Sequence, residues 1–153
     1  MASRTDGKTD DEFRSLLEGV RTTAPLVQVL FGFLLTIALL PGFEQLTGFE
    51  LIAYYLAFAF AAISAVLFLA PGVHQRLRAP VDGIPRRSSL HVQRATQLAI
   101  AGTITFAIAM AAAVLLVSSQ VLPSVAALIL TGAITIVLLW TWFYMPLVQF
   151  KHE

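Results

Sequence analysis

Few side chains in this chain combine chemical capability with an apolar setting. Gln28 stands in an otherwise apolar, uncharged run, and its amide both donates and accepts hydrogen bonds, so it calls for a partner between helices. Glu18 and Arg21 stand at the edge of the same run, where a carboxylate and a guanidinium could bind or pass on an ion. His74, His91 and His152 are the only imidazoles, all outside the apolar runs, and His74 joins Gln28, Glu18 and Arg21 as a binding candidate. His74 and His91 are 17 positions apart with no carboxylate at ligand spacing, and no metal site is expected from them. With no cysteine, the chain has no disulfide, thiolate metal site or thiol nucleophile. No nucleophile–base arrangement, phosphate-cradling glycine loop or carboxylate pair can be read, so no enzyme activity, catalytic residue or cofactor is expected. Arg76, Arg78, Arg86 and Arg87 crowd one short segment with a single acid, Asp82. There they either fix topology or contact anionic lipid head groups, at about 1 kcal/mol per basic residue.

The elements that must position these groups follow from composition. The chain has 153 residues, 58% hydrophobic and only 12% charged, against about 25% charged in an ordinary soluble domain. That excludes a soluble globular enzyme, a disordered chain and a basic-patch nucleic-acid binder. Four apolar runs, at about residues 23–40, 51–70, 95–117 and 123–145, each have the length of a membrane-crossing helix. Pro25 and Pro123 suit a first helical turn, whereas Pro41-Gly42, Pro71-Gly72 and Pro146 read as stops. No charge occurs from 95 to 150, and Ser118-Ser119-Gln120 before Pro123 divides that stretch into helix, turn and helix. Short connections make successive helices antiparallel neighbours. The expected fold is an all-α membrane protein, an antiparallel four-transmembrane-helix bundle spanning residues 23–146, with a tail at 147–153.

Residues 1–22 precede the bundle as a polar segment. Within it Phe13, Leu16, Leu17 and Val20 share one helical face, and Thr9-Asp10-Asp11-Glu12 forms a capping box, which predicts a short amphipathic helix on the membrane surface, the alternative being a plain extension of the first span. The acidic start and the absence of a small-residue cleavage site argue against a signal peptide.

All ten Lys and Arg fall on one side of the four-span arrangement: Arg4, Lys8, Arg14, Arg21, the middle-loop arginines with Arg94, and Lys151. The other two turns carry only Glu44 and Glu50. By the positive-inside rule both termini and the middle loop are cytoplasmic, in a plasma membrane. Trp140, Trp142, Phe143 and Tyr144 fit the aromatic belt at the cytoplasmic end of the fourth span.

Lipid tails are as apolar as leucine, so membrane helices associate through small residues. Ala53, Ala57, Ala61 and Ala65 form a period-four row in the second span. Ala95, Ala99, Thr103, Ala107 and Ala111 do so in the third, and Ala127, Thr131 and Thr135 in the fourth. These rows serve packing within the chain or between copies.

The segments Glu18, Arg21 and Gln28-Val29-Leu30-Phe31-Gly32-Phe33-Leu34-Leu35-Thr36, then Ala70-Pro71 with His74 and Arg76, then Trp140, Trp142-Phe143 and Pro146-Leu147 carry a resemblance. The chain resembles a family of small four-span membrane proteins common in actinobacteria whose members often carry the label sodium:proton antiporter. That resemblance implies the four-span topology and, through the label, cation/proton exchange. The spans contain no Asp, Glu, Lys, Arg or His to mark an ion path. The leading expectation is therefore a non-enzymatic structural or accessory membrane subunit, self-associating or within a larger membrane complex. The alternative is a small oligomeric transporter or channel. The topology has a direct test in this cysteine-free chain. A cysteine replacing Glu44 should react with membrane-impermeant maleimide in intact cells, and one replacing Arg76 only after permeabilisation; the reverse pattern would invert the assignment.

Overall fold

The computed structural model describes residues 2–78, 89–145 and 148, with the side chains of residues 2–14, 16, 17, 75, 78 and 89–91 outside the description. Arg86, Arg87 and Pro146, and the side chains of Arg78 and of the Thr9–Glu12 capping box, therefore lie outside the described part. Four helices follow in order: α1 (Ala2–Ala38), α2 (Gly48–Arg78), α3 (Ser89–Val121) and α4 (Ser124–Leu139). A 3-10 turn, Pro41–Gln45, links α1 to α2, and a π-helical turn, Trp140–Tyr144, continues α4. No strand occurs among the described residues. The stretches Glu18–Ala38, Gly48–His74, Val92–Val121 and Ser124–Tyr144 are long and apolar enough to cross a membrane.

Three sequence expectations change. The N-terminal segment is not a separate short helix, because α1 runs unbroken from Ala2 to Ala38, through Pro25. The Thr22 hydroxyl donates to the Glu18 and Gly19 carbonyls at 3.2 and 2.9 Å, and that of Thr23 to Gly19 at 2.9 Å. The proline costs α1 only the ladder bond to the Arg21 carbonyl, at a level where the side chains are exposed. Pro71 likewise does not stop α2, which continues to Arg78. Pro71 is buried, and Gly72 does not take the left-handed conformation that would end a helix there. Finally, Ser118, Ser119 and Gln120 are helical, and the turn narrows to Leu122-Pro123.

The π-helical turn carries a side-chain bond of its own. Thr141 donates its hydroxyl to the Val137 carbonyl at 2.9 Å, the one its own N–H would take in a regular α-helix. The ladder widens there, and the Met145 N–H reaches back to Trp140. Trp140 and Tyr144 stack at 4.4 Å between ring centroids, exposed beside Trp142.

The chain divides into two compact units, Met1–Phe33 with Ala61–Phe106, and Leu34–Phe60 with Ala107–Glu153. In the first unit Ser64, fully buried, donates its hydroxyl to the Gly102 carbonyl at 2.9 Å. A Cβ on Gly102 would lie 3.3 Å from the Phe68 ring and 3.4 Å from the Leu67 Cβ, so a glycine there lets α2 and α3 approach closely. In the second unit Tyr54 is the centre. Its hydroxyl donates to the Leu34 carbonyl at 3.1 Å, and its ring meets Phe43 edge-on at 4.8 Å.

The small-residue rows are occupied within the chain only in part. On α2, Ala53, Ala57 and Ala61 are buried, followed by Ser64, Phe68 and Pro71. On α3 the buried set is Ala95, Gly102, Phe106, Ala109, Ala113 and Leu116, with Ala107 and Ser118 beside it. The period-four row Ala99, Thr103 and Ala111 is only half-buried. A strict period of four drifts by about 40° per step around a helix of 3.6 residues per turn, whereas alternating steps of three and four hold one face. The Gly102 contact predicts its own failure. Gly102→Leu should force the helices apart and lower the stability of the detergent-solubilised protein by about 1–3 kcal/mol. Thermal unfolding followed by circular dichroism reads this, and an unchanged melting temperature would refute the close approach.

Candidate functional site

Apart from the small-residue seam, two places in the first unit gather chemically capable side chains without partners among the described residues. One is a face of α1. Glu18, Arg21, Pro25, Gln28 and Gly32 recur at alternating steps of three and four, and all five are exposed. The opposite face of the helix, marked by Val27, is buried. Gln28 is the midpoint of the 21-residue apolar stretch Glu18–Ala38, roughly 15 Å along the axis from either end. The expectation that its amide finds a partner between the chain's own helices is not met. Among the described residues it has no hydrogen-bond partner, and its neighbours Leu26 and Val29 are exposed as well, Val29 by 72%. A Cβ on Gly32, one turn further along, would meet nothing within 4 Å.

The hydroxyls of the spans behave differently. Those of Thr103 and Thr105 return to the Ala99 and Ala101 carbonyls of their own helix, each at 3.0 Å, as hydroxyls in apolar helices do. Among the described residues the Thr131 hydroxyl, on α4, is fully buried and lacks a partner. A hydroxyl is readily satisfied by its own helix; a glutamine amide, with two donors and an acceptor on a longer stem, is not.

The second place is a cleft of about 650 Å³ lined by α2 and α3. α2 contributes Pro71, His74 and Leu77, spaced three apart on one face. α3 contributes Arg94, Ala95, Gln97, Leu98 and Ala101, again one face. His74, Arg94 and Gln97 are exposed at its rim, no acidic side chain lines it, and none of the three has a hydrogen-bond or ionic partner among the described residues. His74 closes the second apolar stretch and Arg94 stands two residues inside the third, so the polar rim sits where the apolar stretches end. The aliphatic floor of Pro71, Leu98 and Ala101 lies further in.

Of the sequence candidates, Glu18, Arg21 and Gln28 thus share one exposed face, whereas His74 belongs to the cleft. No hydrogen bond or ion pair joins these four among the described residues. Arg76 is exposed and does not line the cleft. Arg94 and Gln97 were not expected to act with His74. No local spacing signals it, because about twenty residues of intervening chain must fold back to bring them together. A further polar cluster was legible and missed. Thr47-Gly48-Phe49-Glu50 is a capping box of the same form as Thr9–Glu12. Glu50 accepts from the Thr47 backbone N–H at 3.0 Å and from the Thr47 hydroxyl at 3.2 Å. Its other oxygen accepts from the Gln120 amide at 2.8 Å, tying the start of α2 to the end of α3 in the second unit. Each partner in that cluster is accounted for, which marks it as structural. Among the described residues no group of three or more His, Cys, Asp or Glu could hold a metal ion.

Comparison with known proteins adds the family. The profile of DUF6328, a family of unknown function, matches residues 3–146, and the chain belongs to that family. No curated protein and no solved structure matches it.

Proposed function

We propose, taking membership of the DUF6328 family as the premise, that this chain is a non-enzymatic multi-pass subunit of the plasma membrane that works by associating with further copies of itself. The observation that carries the reading is the Gln28 amide, exposed at the middle of an apolar stretch and without a partner among the described residues. Water satisfies an exposed amide on a soluble protein; hydrocarbon does not, and leaving an amide unpaired there costs several kcal/mol. Copies inserted with the same topology can pair symmetrically only about an axis along the membrane normal, so each residue meets its own counterpart at equal depth. An amide is complementary to itself, accepting through its oxygen and donating through its nitrogen, so two copies of Gln28 satisfy each other. The alternating spacing of Glu18, Arg21, Pro25, Gln28 and Gly32 is that of a helix–helix seam, and Gly32 leaves room for close approach. Ala53, Ala57 and Ala61 of the α2 row, by contrast, are buried within the chain.

Both termini and the basic loop face the cytoplasm in this reading, on the strength of the Lys and Arg distribution. Cation/proton exchange, which the resemblance implies, is the second reading. It draws on the same amide, which at a junction between copies would be a polar group on any path there, and sodium- or proton-dependent flux from liposomes decides it.

The leading reading is tested by disulfide crosslinking in native membranes. A single cysteine at Val29 should give a dimer on oxidation, whereas one at Val66, equally exposed but on α2, should not. Adding Gln28→Leu should weaken the dimer about five- to thirtyfold, the equivalent of one lost interhelical hydrogen bond. A monomer throughout, or a different protein captured at fixed stoichiometry, would overturn it.

A further inference from the structure

We infer that the cleft between α2 and α3 is a binding site for one anionic glycerophospholipid, with the phosphate held by Arg94, His74 and Gln97 and an acyl chain on the aliphatic floor. This inference is independent of self-association and uses none of the α1 face. The rim offers one permanent cation, one imidazole and one amide, with no carboxylate among the described residues that line it. A guanidinium pairs with phosphate oxygens through two parallel N–H donors, and an amide N–H and an imidazole N–H add single bonds. None of these donors is engaged within the described chain. Arg94 and Gln97 are three residues apart on α3, and Leu98 and Ala101 follow on the same face. On α2, Pro71 lies inside and His74 outside it, with the apolar Leu77 a further turn out. The cleft therefore changes from polar to apolar along the helices at the level where the apolar stretches end. A phospholipid has this order: phosphate at the interface, hydrocarbon below.

A free anion needs only the rim; the lipid also needs the floor. The volume, about 650 Å³, falls within the range of ligand-sized cavities. The basic residues at this end of the chain place the cleft on the side where anionic lipids are recognised between helices. Neutral phosphatidylcholine also carries a phosphate, but its choline would lie against Arg94, so the site favours a headgroup without a fixed cation.

The experiment uses the full chain, purified in detergent and presented with phosphatidylglycerol and phosphatidylcholine at equal concentration, with retained lipid counted by native mass spectrometry. One phosphatidylglycerol per chain should be retained in preference to phosphatidylcholine. Arg94→Gln should weaken that retention about tenfold, the loss of one charge-assisted pair. Ala101→Leu, which fills the floor and leaves every charge in place, should weaken it as well. Arg14→Gln, a loss of the same charge elsewhere, should leave it within about twofold. Circular dichroism and melting of each variant separate loss of binding from loss of fold. Equal retention of the two lipids, an equal effect of Arg14→Gln and Arg94→Gln, or full retention in Ala101→Leu would each overturn the proposal. So would displacement of the lipid by inorganic phosphate alone, which would make the rim a free-anion site.

Discussion

A helix surrounded by lipid gains nothing by burying leucine against leucine, because the surroundings are already hydrocarbon. What can hold helices together there is close backbone approach and polar groups that find each other. In this chain the first is supplied by one seam. Ala57, Ala61 and Ser64 of α2 have no exposed surface, and Gly102 of α3 comes so near Phe68 that a β-carbon would crowd the ring. Ser64 adds the second element by donating to the Gly102 carbonyl across the gap. The bond is possible because the glycine brings that carbonyl within reach, so the contact and the hydrogen bond stand or fall together.

The same constraint separates structural polar groups from those that point outward. Glu50, Thr47 and Gln120 satisfy one another, Tyr54 is bonded to the Leu34 carbonyl, and Thr103 and Thr105 bond to their own helix. Against that background Gln28, and the trio of Arg94, His74 and Gln97, are conspicuous for having no partner among the described residues. Their settings differ, and so do the partners they suit. Gln28 is neutral, self-complementary and mid-span, which favours a second copy. The cleft is cationic and ends at the margin of the apolar stretches, which favours an anionic amphiphile.

Much of this was legible in the residues, because hydrophobic length is a strong signal. Each of the four apolar runs falls on one of the four helices, and Ala53, Ala57 and Ala61 of the α2 row are buried, one of the two uses its spacing allowed. Proline was the weaker guide. Pro25 lies well inside α1 and not in a first turn, and Pro71 lies inside α2 and does not end it; each removes one ladder bond from a helix that continues. The α3 row was misjudged because a period of four drifts off the contact face. The cleft could not be read at all, for it depends on a distant His74 meeting Arg94 and Gln97 after folding. The Thr47–Glu50 box, in contrast, was plainly written and hidden only by its place in a presumed turn.

The central claim is that the exposed amide of Gln28 is completed by a second copy. The most direct measurement is energy transfer between donor- and acceptor-labelled chains co-reconstituted in vesicles over a series of protein-to-lipid ratios. The account predicts transfer that falls along a dimer dissociation curve as lipid is added, with the Gln28→Leu curve displaced toward higher protein density. Transfer no greater than that of randomly mixed monomers at every ratio, or superimposable curves for the two proteins, would contradict it.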